Sequence, residues 1–142
     1  MLADSNILVY AINRRSPKHN VAQNFLQVNA GNLEVAHQNI FETLRVLTHP
    51  KFPFPMKIHD ALKAIENILK ACRVISPNEK THYATFMLIK DSKLVSDQIF
   101  DAYLAMTALS NGITEIATDN IRDFKKYKGI RIINPFIPTA RN

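Results

Sequence analysis

Glycine and cysteine are scarce in this chain of 142 residues, and long hydrophobic runs are absent. Three glycines are too few for a glycine-rich loop that cradles phosphates. The single cysteine, Cys72, cannot form an internal disulfide, so we expect no disulfide framework and a cytoplasmic location. No apolar run approaches the roughly 20 residues of a membrane span, and the first one, residues 7–12, follows Asp4 rather than the basic segment of a signal peptide.

The composition is that of a globular protein with a basic surface. Hydrophobic residues make up 46% of the chain and charged residues 21%, and the length predicts a single domain over residues 1–142. The net charge is +6, from 18 lysines and arginines against 12 acids. A basic surface suits a polyanionic partner, although charge that only keeps the protein soluble would look the same.

Short apolar segments alternate with longer amphipathic ones. The predicted strands are residues 1–4, 33–36, 74–75, 115–117 and 131–133, and the predicted helices are residues 7–13, 17–30, 38–48, 58–72, 79–90 and 99–111. This alternation favours an α/β fold in which helices cover both faces of a mostly parallel sheet of four or five short strands.

Three details of these helices are specific enough to check. Ser16 and Pro17 suit the N-cap and first position of the second helix. Cys72 falls on the apolar stripe of the fourth helix, which makes it a core residue rather than a nucleophile. The fifth helix is expected to bury an aromatic and methionine face: Tyr83, Phe86 and Met87.

Four acids occupy positions that favour a functional site. Asp4 follows the first predicted strand, and ligands of open α/β sheets bind beyond the carboxyl ends of strands. Asp101 lies in an almost wholly apolar helix, where an unpaired buried carboxylate would be costly. Asp119 follows the fourth strand, and Glu42 is the only acid between residues 35 and 57.

Each acid also has a purely structural interpretation. Asp4 could simply cap the following helix, Glu42 could be an exposed acid paired with Arg45, and Asp101 could lie at the start of its helix. Asp119 could belong to an ordinary turn, and Asp123 in the same loop is a rival for its role, although Asp119 is preferred because it leaves the strand first.

A set of carboxylates can serve phosphodiester hydrolysis. Carboxylates bind Mg²⁺ or Mn²⁺, and such an ion neutralises the phosphodiester and lowers the pKa of a bound water. Neighbouring polar side chains are candidates for supporting the acids or contacting substrate: Ser5, Asn6, Thr118, Asn120 and Asp123.

Other candidate groups carry less weight. The five histidines show no paired spacing typical of a zinc site. Two basic clusters could hold backbone phosphates or could be solvated surface: Arg14, Arg15 and Lys18 in the first, and Lys125, Lys126, Lys128 and Arg131 in the second.

The chain resembles the PIN-domain ribonucleases, specifically the VapC toxins of type II toxin–antitoxin systems. Four segments carry the resemblance, in the family's order: residues 4–8, 41–50, 101–105 and 117–124, with residues 133–135 at the end. It departs from the family in the shortness of the segment before Asp4 and in the residues between Asp119 and Asp123.

The resemblance implies an α/β/α sandwich and an endoribonuclease that depends on Mg²⁺ or Mn²⁺. It also implies inhibition by a VapB-type antitoxin and a homodimer. The metal ligands and catalytic acids would be Asp4, Glu42, Asp101 and Asp119. Two other functions stay open: an inactive module that only binds RNA or antitoxin, and a phosphatase with Asp4 as nucleophile, for which Asn6 stands where a second Asp is expected.

Overall fold

Five short parallel strands form a single sheet in the computed structural model, which describes residues 1–138. The strands are β1 (Leu2–Ala3), β2 (Leu33–Ala36), β3 (Cys72–Ile75), β4 (Glu115–Ala117) and β5 (Arg131–Ile133). Their order across the sheet is β3-β2-β1-β4-β5, and every neighbouring pair is parallel. The very short β1 is therefore the central strand.

Seven helices surround this sheet in the described part of the chain. They are α1 (Ser5–Ile12), α2 (His19–Val28), α3 (His37–Thr48), α4 (Ile58–Leu69), α5 (Thr81–Ser92), α6 (Asp97–Ser110) and the short α7 (Ile121–Phe124). None of the helices within residues 1–138 is long and apolar enough to cross a membrane.

The helices divide between the two faces of the sheet because successive strand residues point to opposite sides. Ala3 packs in one core with residues of α1, α2, α3 and α4. Leu2, its neighbour in β1, packs in the other core with residues of α5, α6 and α7. The predicted three-layer α/β/α sandwich is thus confirmed, with five strands rather than four.

The prediction that α5 buries its aromatic face is wrong. Tyr83, Phe86 and Met87 are 68%, 63% and 66% exposed, whereas Thr81 and Thr85 face the core. The buried threonine hydroxyls have partners: Thr85 donates to the carbonyl oxygen of Thr81 at 2.7 Å, and the hydroxyl of Thr81 pairs with that of Ser110, also at 2.7 Å. Two small polar residues with satisfied hydroxyls can therefore face α6, and the large apolar residues lie on the solvent side.

Two other local predictions also need correction. The backbone at Ser16 and Pro17 forms a turn, and α2 begins only at His19, because the Ser16 hydroxyl accepts a hydrogen bond from the backbone N–H of Lys18 within that turn (3.1 Å). Cys72 is the first residue of β3 rather than the end of α4, which stops at Leu69. Cys72 packs in the core, as expected, but from a strand.

The strand order places a crevice at the carboxyl end of β1. From β1 the chain passes to β2 on one side, while β4 lies on the other side. Connections that leave in opposite directions open a crevice between neighbouring strands, and ligands bind there in open α/β sheets. Asp4 ends β1 and Thr118 follows β4 at this point, where the backbone N–H of Asp4 donates to the carbonyl oxygen of Ala117 at 2.9 Å.

Candidate active site at the carboxyl ends of β1 and β4

Asp4 is buried and held by four side chains. It is the N-cap of α1, accepting from the backbone N–H of Ser5 at 2.8 Å. Its other oxygen accepts from the Thr118 hydroxyl at 2.7 Å and from the amide of Asn6 at 3.1 Å. The amide of Asn39 and the hydroxyl of Ser5 donate from 3.4 and 3.3 Å. Asp4 is thus both a helix cap and a member of the polar cluster.

The protonation of Asp4 reflects two opposing effects. Burial raises the pKa of its carboxyl, and the negative charge of Glu42 raises it further. Hydrogen bonds from Thr118 and Ser5 lower it, but the net pKa lies above the ordinary value. A nearby cation would favour the ionised form.

Glu42 reaches the same cluster from α3. One of its oxygens accepts from the Ser5 hydroxyl at 3.0 Å, so Ser5 bridges Glu42 and Asp4. The other oxygen accepts from the side-chain amide of Gln38 at 2.8 Å, and Gln38 also donates to the carbonyl oxygen of Phe100 at 3.2 Å. Glu42 is therefore oriented toward the crevice and is not paired with Arg45.

Asp101 lies in the second turn of α6, so it is not the helix cap. Burial raises the pKa of its carboxyl to about 6, and the negative charges of Asp123, Asp4 and Glu42 act in the same direction. Lys126 opposes this shift. Because the charges of Asp123, Asp4 and Glu42 all act on Asp101, these acids lie in one region of negative charge.

The two acids of the last loop have different surroundings. Asp119 contacts the amino group of Lys18 and accepts from the Tyr10 hydroxyl at 3.0 Å. Burial raises the pKa of Asp119, but the hydrogen bonds from Lys18 and Tyr10 outweigh burial and leave the pKa below its ordinary value. Asp123 contacts the side chain of Asn120 and acts electrostatically on Asp101.

Three further predicted residues connect the end of β1 to the loop after β4: Asn6, Thr118 and Asn120. The Asn6 amide donates to the Thr118 hydroxyl at 3.0 Å, and its oxygen accepts from the backbone N–H of Asp119 at 3.2 Å. The Thr118 hydroxyl also accepts from the backbone N–H of Asn120 at 3.0 Å. Asn6 and Thr118 thereby link the end of β1 to the loop after β4.

A buried tyrosine hydroxyl lies beside this group of acids. Tyr127 is 3% exposed, and within residues 1–138 its hydroxyl has no hydrogen-bond partner. Burial raises the pKa of Tyr127 to about 12, and the charges of Asp101 and Asp123 contribute.

Several residues of the site were not predicted. Asn39 is fully buried, and its oxygen accepts from the backbone N–H of Ala36 at 3.1 Å while its amide donates to Asp4. Its position one turn before Glu42 on the same helix was an available signal. Gln38, four residues before Glu42 on α3, offered the same signal. Tyr10 and Tyr127 had none, because nothing local in the sequence distinguishes them from surface or core residues.

The donor chemistry of this region fits a hard divalent cation. Within the described residues, no three acidic, histidine or cysteine side chains already converge as a ready-made metal cluster. Mg²⁺ is usually bound through only one or two carboxylates and keeps several waters, so Asp4 and Asp101 would be enough as protein ligands if both bound one ion. Burial and neighbouring negative charges raise the pKa of both carboxyls, and a cation would favour their ionised forms.

A separate groove lies between α1, α2, α4 and the loop that follows α3. Its volume is about 1020 Å³, and none of the predicted site residues lines it in the described part of the chain. Its lining includes Leu26, Phe52, Met56 and Ile68. At its rim the Arg15 guanidinium lies 3.4 Å above the ring of Phe54.

The fold and the acidic crevice define the class to which this protein belongs. The family model for the PIN domain matches residues 1–130, and the chain therefore belongs to the PIN-domain family.

Similarity to individual proteins supports this family assignment. The chain is similar to Ribonuclease VapC24 of Mycobacterium tuberculosis, with 29% identity over 136 residues, which cover 93% of this chain and 94% of that protein. It is also 29% identical to Ribonuclease VapC48 of the same species over 139 residues, covering 94% and 95%. A crystal structure of VapBC2 from Rickettsia felis has the same fold, with a TM-score of 0.71 at 20% identity, covering 94% and 96% of the two chains.

Proposed function

We propose that this protein is a metal-dependent endoribonuclease and the toxin of a type II toxin–antitoxin system. The observation that carries the proposal is the Asp4 carboxylate at the carboxyl end of β1, which Thr118, Asn6 and Asn39 hold in place and which the Ser5 hydroxyl links to Glu42. Membership of the PIN-domain family and the ribonuclease names of two relatives support the same function. The match over residues 1–130 also supports the prediction of one PIN domain, and a cytoplasmic location fits a toxin that acts on cellular RNA.

Asp4 and Asp101 are the residues we propose to hold Mg²⁺ or Mn²⁺, with Glu42 binding the ion or orienting the attacking water. A bound divalent cation would supply a Lewis acid that neutralises the phosphodiester and lowers the pKa of a water nucleophile. Ser5 and Gln38 keep the Glu42 carboxylate oriented toward the crevice. Thr118 and Asn6 keep Asp4 in place when the substrate binds.

The fourth acid was expected to be Asp119, with Asp123 as the rival. We propose Asp123 for this role, because its charge acts on Asp101. The Asp119 carboxylate is instead already bound by Lys18, Tyr10 and Asn134. Asn120, which contacts Asp123, would then orient the fourth acid.

An antitoxin and a second copy of the chain are the proposed protein partners. The groove beside α1, α2 and α4 is apolar inside and has Arg14 and Arg15 in its lining. These features suit an amphipathic segment of a VapB-type antitoxin with acidic residues along its edge. The exposed face of α5, formed by Tyr83, Phe86 and Met87, suits the predicted homodimer, because monomeric proteins rarely expose such a patch.

The test is incubation of antitoxin-free protein with total RNA in Mg²⁺, in Mn²⁺ and in EDTA. We expect discrete fragments that need the metal and that disappear with Asp101→Asn. The matched control is Glu66→Gln, an exposed acid of α4 that should cleave like the wild type. Metal-independent RNA binding without cleavage by the folded wild type would instead support a binding module.

A further inference from the structure

Lys18 contacts three side chains beside the acidic crevice. Its amino group contacts the Asp119 carboxylate and lies 5.0 Å from the ring centroid of Tyr10 and 5.1 Å from that of Phe136. The two rings are themselves packed edge to face, with centroids 5.3 Å apart. Asp119, Tyr10 and Phe136 thus surround Lys18, and we call these four residues the Lys18 cluster.

The backbone at Lys18 is fixed as well. Its N–H donates to the Ser16 hydroxyl at 3.1 Å, and the ring of the next residue, His19, lies 3.1 Å from the carbonyl oxygen of Tyr10. A lysine side chain loses considerable rotamer freedom when a ligand immobilises it. Because the Lys18 cluster already restricts this side chain, a ligand that binds it has less entropy to overcome.

Asp119 is occupied by protein donors. Besides Lys18, its carboxylate accepts from the Tyr10 hydroxyl at 3.0 Å and from the side-chain amide of Asn134 at 3.4 Å. These contacts leave Asp119 well placed to orient Lys18 and poorly placed to turn toward a cation shared with Asp101.

A short path of hydrogen bonds joins the Lys18 cluster to Asp4. The backbone N–H of Asp119 donates to Asn6 at 3.2 Å, and the amide of Asn6 donates to Asp4 at 3.1 Å. Lys18 therefore lies at the rim of the crevice, separated from Asp4 by two residues, Asp119 and Asn6.

The positive charge of Lys18 can offset the repulsion between the acidic crevice and an RNA strand. Carboxylates repel a polyanionic strand wherever metal ions do not neutralise them, so phosphates next to the cleaved bond need a cation. The Lys18 side chain remains 38% exposed, and an ammonium group has three donors, of which Asp119 uses one. An ion pair this exposed adds less than about 1 kcal/mol to stability, which gives the pair little value as a fold-stabilising contact.

We propose that Lys18 binds a phosphate of the RNA strand next to the cleaved bond, and that Asp119 is the positioning residue for Lys18 rather than a metal ligand. This inference rests on the proposed ribonuclease function. It gives a role to part of the basic cluster of Arg14, Arg15 and Lys18.

The first experiment measures binding of a fluorescein-labelled single-stranded RNA by anisotropy at several salt concentrations, in an Asp101→Asn background that does not cleave. Lys18→Met should weaken binding about fivefold on oligonucleotides of different sequence. It should also reduce the slope of log affinity against log salt by about 0.7, the value for one phosphate contact on a single strand. Lys18→Arg should keep the slope. The control Lys63→Met, an exposed lysine of α4, should change neither quantity.

Asp119→Asn separates positioning from metal binding. We expect it to weaken RNA binding less than Lys18→Met does, and the double variant should be no weaker than Lys18→Met alone. Calorimetric titration of the otherwise wild-type variants with Mn²⁺ should give affinities within twofold of the wild type for Lys18→Met and Asp119→Asn. In cleavage assays both variants should raise KM and change kcat by less than about threefold.

Two results would overturn the inference while leaving the proposed function intact. One is an unchanged salt slope for Lys18→Met in a protein whose wild type cleaves RNA. The other is loss of Mn²⁺ affinity in Asp119→Asn as large as that in Asp101→Asn. A folded wild type that binds Mn²⁺ and neither binds nor cleaves RNA would overturn the proposed function itself.

Discussion

Replacing Asp101 by asparagine should make the metal-free protein more stable at neutral pH. Burial and the charges of Asp123, Asp4 and Glu42 raise the pKa of Asp101 from 3.8 to about 6. The folded protein therefore keeps a proton on Asp101 up to about pH 6, whereas the unfolded chain releases it near pH 3.8. Because the folded state binds more protons between these values, this carboxyl makes folding less favourable as pH rises from 4 to 7.

The size of the effect follows from the shift. A shift of about two pKa units corresponds to at most about 3 kcal/mol, and solvent screening of this partly exposed carboxyl reduces the value to about 1–2 kcal/mol. Asparagine carries no charge at any pH, so above pH 7 the variant Asp101→Asn should be about 1–2 kcal/mol more stable than the wild type. For a domain of this size the gain corresponds to a rise in Tm of about 3–8 °C.

Thermal unfolding followed by circular dichroism provides the assay. In EDTA, the difference in Tm between Asp101→Asn and the wild type should be near zero at pH 4 and should grow up to pH 7. For the control Glu66→Gln, the difference in Tm from the wild type should not increase with pH. With saturating Mn²⁺ the order should reverse, because the wild type gains binding energy that Asp101→Asn cannot gain.

A lower Tm for Asp101→Asn than for the wild type in EDTA at pH 7.5 would refute the reasoning. It would mean that the ionised Asp101 has a stabilising protein partner and that the carboxylates do not repel one another. Equal stabilisation of both proteins by Mn²⁺ would remove Asp101 from the proposed metal ligands.

Three further predictions concern groups around the site and the surface. Thr118→Val removes the 2.7 Å hydrogen bond to Asp4, so it should raise the pKa of Asp4 further and weaken Mn²⁺ binding about five- to tenfold, measured by calorimetry. Tyr127→Phe deletes a buried hydroxyl without a described partner and should leave the free energy of unfolding unchanged or raise it by up to about 1 kcal/mol in urea titrations. Phe86→Asp should convert the proposed homodimer to a monomer in light-scattering measurements, whereas Val28→Asp on α2 should not.

Each of these three predictions would be contradicted by a specific result. Unchanged Mn²⁺ affinity in Thr118→Val would show that Asp4 is not a ligand or does not depend on this hydroxyl. A loss of more than about 1 kcal/mol in Tyr127→Phe would reveal an ordered water or other partner for the hydroxyl. A dimer that survives Phe86→Asp would place the interface elsewhere.

The fold could be predicted because its signals are local and repeated. Strand positions 33–36, 115–117 and 131–133 are the same in the prediction and the structure, since each is a short segment with two or three apolar residues and a single charged one. Two errors concern helix ends, at Ser16 and at Cys72, and the third concerns which face of a helix points inward. On α5 the apolar residues Tyr83, Phe86 and Met87 suggested burial, yet the packing against α6 selected Thr81 and Thr85.

The site could be predicted only where a residue's type conflicted with its setting. Asp4 at a strand end and Asp101 within an apolar helix conflict with a simple core, so both were identifiable. The choice between Asp119 and Asp123 depends on Lys18, which lies 101 residues away in sequence from Asp119. No local pattern reveals such a pair, and the same holds for the contact of Gln38 with the carbonyl oxygen of Phe100.

The central position of β1 has a consequence for the synthesis of a toxic enzyme. Asp4 leaves the ribosome well before its hydrogen-bond partner Thr118, which comes 114 residues later. Contacts of such long sequence separation form late in folding. A partly synthesised or truncated chain that ends before β4 lacks both the strand that flanks β1 and the hydroxyl that holds Asp4. The acidic crevice can therefore form only after β4 and Thr118 have been synthesised, so a chain that terminates before them should lack nuclease activity.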